Sequence, residues 1–154
     1  MEEYKRLTLE DIYISPFTAR RRYDEEGVIH WDPIERNLNP TGFPQIDHIA
    51  RLMSQGYTNL KWLAQHLGCR VSDLHGWAKT LFGMNAVELR RQYIFRLADD
   101  LLRYTSMSTE QIARRTGCYS SSSLCQQFIK HRHFTPDQRR QSIRRERDED
   151  RFKM

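Results

Sequence analysis

Residue types that do chemistry on their own are few in this chain, and their spacing is poor for it. His131 and His133 stand two positions apart, so a helix points them to different sides, and no Cys-x-x-Cys accompanies them. Cys69 and Cys118 each follow a glycine, at equivalent places in a repeat, and fit small packed side chains. With Cys125 they make an odd, sparse set that suits a reducing compartment rather than a disulfide framework. There is no phosphate-binding glycine loop, nucleophile elbow, H-E-x-x-H pattern or evident carboxylate pair. We expect no catalytic residue, no metal, no cofactor and no enzyme.

Charge is the remaining chemistry, and it is unevenly placed. The chain carries +5 overall. Residues 57–145 hold fifteen Lys or Arg against six Asp or Glu, a net +9. The segments on either side are slightly acidic. A basic segment of this kind suits a polyanion such as DNA, although a solvated basic surface has the same composition. No apolar run reaches the roughly 20 residues of a membrane helix. The start, MEEYKRLTLEDI, has acids where a leader would have bases. A cytoplasmic protein without membrane contact is expected.

The elements that must carry these cations are helical. Residues 1–43 hold Pro16, Pro33 and Pro40 and no long helical period. Short apolar stretches at Leu7–Ile14 and Val28–Trp31 suit strands or an extended arm. Arg20-Arg21-Arg22 suits either an arm in a minor groove or a surface paired with Asp24-Glu25-Glu26. Some of Tyr13, Phe17, Trp31 and Phe43 are expected to pack on the helices. Asn37–Pro44 is a loop boundary. Beyond it, Ile46, Ile49, Ala50 and Met53 share a helix face that Gly56 ends. Thr58 or Asn59 caps the next helix, with Leu60, Leu63, Ala64 and Leu67, which stops at Gly68. Ser72 caps or opens a third helix ending at Gly83. Asn85 caps a long helix to about 104. Residues 144–154 are a charged tail.

The arrangement then repeats. Leu63-Ala64-x-x-x-Gly68-Cys69 returns as Ile112-Ala113-x-x-x-Gly117-Cys118. From Leu74 and Leu124 the two copies run in step, and Asn85 and Thr135 both lie eleven residues on. Pro136 follows Thr135 at a first helical position, where its missing N–H costs nothing. A helix, a glycine turn and a second helix form the unit that places polar side chains in a major groove. The duplication is the most specific signal in the chain.

These residues resemble the DNA-binding domain of the AraC/XylS family. The second half carries the likeness through Ala98, Leu101, Leu102, Ile112, Ala113, Gly117, Ser120–Ser123, Leu124, Phe128, Thr135-Pro136 and Arg139. The first half, LKWLAQHLGCRVSDLHGWAKTLFG, matches more loosely. The resemblance implies an all-α fold of two helix-turn-helix subdomains, about 45–83 and 109–143, joined by a linker helix at about 86–104. A short, irregular or partly extended N-terminal region precedes them. It implies a sequence-specific transcription regulator using successive major grooves of double-stranded DNA. The alternative is a protein-interaction module that keeps the fold without specific DNA binding. RNA polymerase is a further implied partner. Forty-three residues are too few for a sensing domain, so no small-molecule effector is expected, and either a monomer or a homodimer suits the pattern.

The motif positions nominate Ser72, His75 and Gly76 in the first recognition helix as base contacts. In the second they nominate Ser121, Ser122, Cys125 and Gln126. Lys61, Arg70, Lys79, Lys130, Arg132, Arg139 and Arg140 are nominated for phosphates. The chain departs from the family where arginines usually stand, holding Gly76 and Gln126 there. Ala78 replaces a phenylalanine, Ile94 an arginine and His133 a glycine.

Overall fold

The computed structural model describes residues 6–154. The acidic Glu2 and Glu3, on which the leader argument rests, lie outside the described residues. The chain divides into two compact units, the first made of residues up to Ile14 and Asn37–Ile94, the second of Ser15–Arg36 and Phe95–Met154. Among the described residues, no helix is long and apolar enough to cross a membrane.

Unit 1 contains helices α1 (Leu9–Ile12), α2 (Pro44–Ser54), α3 (Leu60–Leu67) and α4 (Val71–Phe82), and the start of α5 (Ala86–Tyr104). Ile46, Ala50 and Met53 of α2 are buried at the expected spacing. The stretch Leu7–Ile14 is not an extended arm. Asp11 accepts from the Thr8 N–H at 2.7 Å and from its hydroxyl at 3.2 Å, which closes a helical turn at Leu9–Ile12. Ile12 and Tyr13 then enter the core, with Tyr13 5.4 Å from the Tyr93 ring. The Leu7 N–H donates to the Leu81 carbonyl at 2.8 Å. Arg6 lies over Gly83, where an added Cβ would come within 2.6 Å of the guanidinium.

Unit 2 contains the rest of α5, then α6 (Thr109–Thr116), α7 (Ser121–Arg132) and α8 (Pro136–Ile143). It also contains a small antiparallel sheet in the order β2–β1–β3, with β1 Ala19–Tyr23, β2 Ile29–Pro33 and β3 Phe152–Lys153. Asp24 makes the β1–β2 turn by accepting from the N–H groups of Glu26 and Val28, both at 2.9 Å.

The C-terminal residues are not a free tail. Phe152 stacks on Phe17 at 5.3 Å and meets Tyr104 edge-on at 4.8 Å. Asp148 is buried against Arg103 at 3.0 Å. Burial pushes the Asp148 carboxyl up, but the Arg145 N–H and the Arg103 guanidinium outweigh it and hold it below the usual carboxylate range. The arginine triplet forms strand β1 rather than an arm. Arg22 pairs with Asp32 at 2.7 Å, not with the acidic turn, because cross-strand geometry brings Asp32 closer.

Candidate nucleic-acid interface

Each unit contains a helix, a tight turn and a second helix, built by the same local devices. Asn59 accepts from the Trp62 N–H at 2.9 Å and caps α3. Ser108 caps α6, accepting from Gln111 N–H at 3.2 Å while its own N–H donates to the Gln111 side chain at 2.8 Å. Both helices end on a left-handed glycine, Gly68 at φ 71° and Gly117 at φ 79°. There the next N–H turns back: Cys69 donates to Ala64 and Cys118 to Ala113, at 2.9 and 2.8 Å. That turn needs a residue without a Cβ penalty.

The second helices are α4 and α7, and their inner faces are apolar. Leu74, Ala78, Leu81 and Phe82 are buried in α4, and Leu124 and Phe128 in α7. Aligned on Leu74 and Leu124, the exposed positions coincide. Ser72, Gly76, Lys79 and Thr80 face solvent on α4, and Ser122, Gln126, Ile129 and Lys130 do so on α7. Ser120 opens α7, accepting from the Ser123 N–H at 3.1 Å. In α4 the cap is not Ser72. The Arg70 N–H donates to Asp73 at 2.9 Å, so the helix starts one residue earlier and Ser72 lies in its first turn.

The nominated base-reading residues therefore separate. Ser72, Gly76, Ser122 and Gln126 lie on the exposed faces. Ser121 and Cys125 are half-buried at the margin, and burial, with Asp137 adding to it, pushes the Cys125 thiol up. His75 turns inward, where its Nδ1 accepts from the Ala86 N–H at 3.2 Å and caps the start of α5. Sequence spacing placed it on the recognition face because it could not see that Ala86 needed an acceptor.

The nominated phosphate-binding cations separate in the same way. Lys61, Arg70, Lys79 and Lys130 are exposed. Arg132, Arg139 and Arg140 are instead engaged within unit 2. Asp99 of α5 holds Arg132 at 3.0 Å and Arg139 at 3.1 and 3.2 Å, which ties α7 and α8 to the linker helix. Arg132 also lies over the rings of Phe95, Phe128 and Phe134, 5.0–5.3 Å from their centroids. Arg140 donates to the Leu102 carbonyl at 3.0 Å and to that of Met107. Arg144 donates to the carbonyls of Leu102, Arg103 and Thr105. Together they satisfy the end of α5, where free carbonyls and the helix dipole favour cations. Burial, with Arg144 beside it, lowers the Arg140 pKa.

Two residues of interest escaped the sequence reading. Tyr119 is 99% exposed in the turn before α7. Arg70 likewise stands two residues after its turn glycine, so the repeat counted from Gly68 and Gly117 contained the signal. Asp99 gave none, because its partners lie more than thirty residues away. Among the described residues, no group of three or more His, Cys, Asp or Glu stands close enough to hold a metal.

Residues 63–142, just over half of the chain, match the family model described as a helix-turn-helix domain. The chain belongs to this family, in its AraC type. DNA binding in transcription regulation is thus its class of function. Two solved domains of response regulators share its fold. The C-terminal domain of AraT, a response regulator from Geobacillus stearothermophilus, has a TM-score of 0.59 at 23% identity, over 71% of this chain and 91% of that one. The C-terminal domain of the two-component response regulator YesN from Fusobacterium nucleatum has a TM-score of 0.55 at 23% identity, over 63% and 94%. The xylose-binding transcription activator XylR has a TM-score of 0.53 at 19% identity; 75% of this chain matches a third (33%) of that one. No curated protein sequence matches the chain.

Proposed function

We propose that this AraC-type chain regulates transcription by binding double-stranded DNA sequence-specifically, with α4 and α7 each presented to a major groove. The observation that carries this reading is the coincidence of exposed positions on the two helices: polar or small side chains outside, Ile129 excepted, and large apolar ones inside, behind turns that each begin on a left-handed glycine. α7 bears the richer chemistry. Gln126 can pair through both ends of its amide with an adenine edge, while Ser122 accepts or donates to several bases. On α4, Ser72 and Gly76 offer little to a base, so its contribution is shape and the charges of Arg70 and Lys79. Lys61 and Lys130 supply further phosphate contacts. Arg132, Arg139 and Arg140 hold α7 and α8 on α5.

A second reading has one feature in its favour. Beside Gly76, an open groove of about 330 Å³ is lined by Phe43, Ile46, Trp77 and Leu81. An apolar groove where a base-reading arginine usually stands suits a protein segment better than a base edge. Selection from random duplexes separates the two. The native chain should enrich a consensus, and Gln126→Ala should lose the preference at one position of it. Enrichment of nothing by the native chain would favour the interaction module.

A further inference from the structure

The sheet of unit 2 has an open edge. In the order β2–β1–β3, β2 is outermost, and among the described residues no strand pairs with its free side. The phase of the ladder fixes what that side offers. Asp24 N–H donates to the Val28 carbonyl, and Ile34 N–H to that of Thr18. Bonded and non-bonded pairs alternate between those two points. His30 and Asp32 therefore direct their backbone groups to β1. Ile29 and Trp31 direct theirs outward, with the carbonyl of Pro33. The side chains of Ile29, Trp31 and Pro33 share one face with Arg21 and Tyr23. The large apolar side chains on that face are open: Tyr23 is 55% exposed, Ile29 49% and Trp31 39%. Free donors beside exposed apolar side chains make a template for another strand.

We propose that this edge pairs antiparallel with the same edge of a second copy of the chain, about a two-fold axis at Trp31. The segment Ile29-His30-Trp31-Asp32-Pro33 is self-complementary in that register. Trp31 faces Trp31 and exchanges two backbone hydrogen bonds with it. Each Ile29 N–H meets the opposite Pro33 carbonyl, which adds two more. Pro33 has no N–H, so the ladder stops there. On the apolar face, Ile29 packs on Pro33 and Trp31 on Trp31. On the other face, His30 comes opposite Asp32. Within each copy Asp32 already pairs with Arg22 at 2.7 Å and His30 with Asp24 at 2.6 Å. Across the seam the row becomes Arg22, Asp32, His30, Asp24, and no like charges meet. Packing the two sheets face to face is disfavoured, because it would bury Arg21 and Lys153, whose ammonium lies 5.8 Å from the Trp31 ring centroid. This pairing does not depend on DNA binding.

Sedimentation equilibrium of the full chain tests it. A monomer–dimer equilibrium is expected, and Trp31→Asp, which sets two carboxylates opposite each other at the axis, should raise the dissociation constant about tenfold or more. Thermal unfolding of the variant separates lost pairing from lost folding. A second arm places a cysteine at the axis. Opposed residues in a hydrogen-bonded antiparallel pair have Cα atoms about 5.5 Å apart, within disulfide range. Under mild oxidation Trp31→Cys should cross-link, and Tyr23→Cys, one strand further in, no more than the native chain. A native chain that stays monomeric at every concentration would overturn the proposal. So would a dimer that Trp31→Asp leaves unchanged, or equal cross-linking of both cysteine variants.

Discussion

Replacing Asp99 with alanine removes one carboxylate from between two guanidinium groups. Asp99 is about 20% exposed, Arg132 21% and Arg139 28%, so the cluster is neither a surface pair nor a fully buried one. An exposed pair contributes about 0–1 kcal/mol, and breaking a buried one costs about 3–5 kcal/mol. Three hydrogen bonds between 3.0 and 3.2 Å are lost. The aromatic rings around Arg132 keep part of its environment, which lowers the cost. A loss of about 2–3 kcal/mol is therefore expected, equivalent to roughly 6–9 °C in Tm for a chain of this size. Urea unfolding of the native chain and of Asp99→Ala measures it. A double-mutant cycle with Arg139→Ala isolates the coupling, expected at about 1–2 kcal/mol. A loss below about 0.5 kcal/mol, or no coupling, would show that Asp99 does not brace α7 and α8 and would remove the reason for excluding Arg132 and Arg139 from the phosphate contacts.

His133 holds a left-handed conformation at φ 65° that glycine adopts more easily, so His133→Gly should stabilise the chain by up to about 1 kcal/mol in urea unfolding. Asp148→Asn should destabilise at neutral pH, and its urea midpoint should converge on that of the native chain in acid. The folded state holds this carboxyl below its ordinary value, so its contribution is complete above the unfolded pKa, about 3.9, and is lost as pH falls through the folded value. Lys130→Ala should reduce the salt dependence of DNA binding by about one unit of slope. Arg140→Ala should lower stability and leave that slope unchanged.

The helices were legible because their signals are local. Asn59 and Asn85 cap where expected, accepting from the Trp62 and Glu88 N–H groups, both at 2.9 Å. Gly56, Gly68, Gly83 and Gly117 all adopt positive φ. The buried face of α4 followed from periodicity, whereas the base contacts were nominated from motif positions, and His75 among them turns inward. What stayed hidden depends on distant partners. Strand β3 pairs with β1 across more than a hundred residues, so Phe152 looked like part of a charged tail. The charge of Arg132, Arg139 and Arg140 was readable, but their engagement with Asp99 and the end of α5 was not. The structure thus divides the basic residues in two: those that build the unit and those left on its surface.

The affinity of the full chain for mixed duplex DNA, measured as salt is raised, tests the central claim most directly. The surface-lysine account expects log affinity to fall linearly with log salt, by close to one unit of slope for each phosphate neutralised. No binding at low salt, or an affinity indifferent to salt, would contradict it.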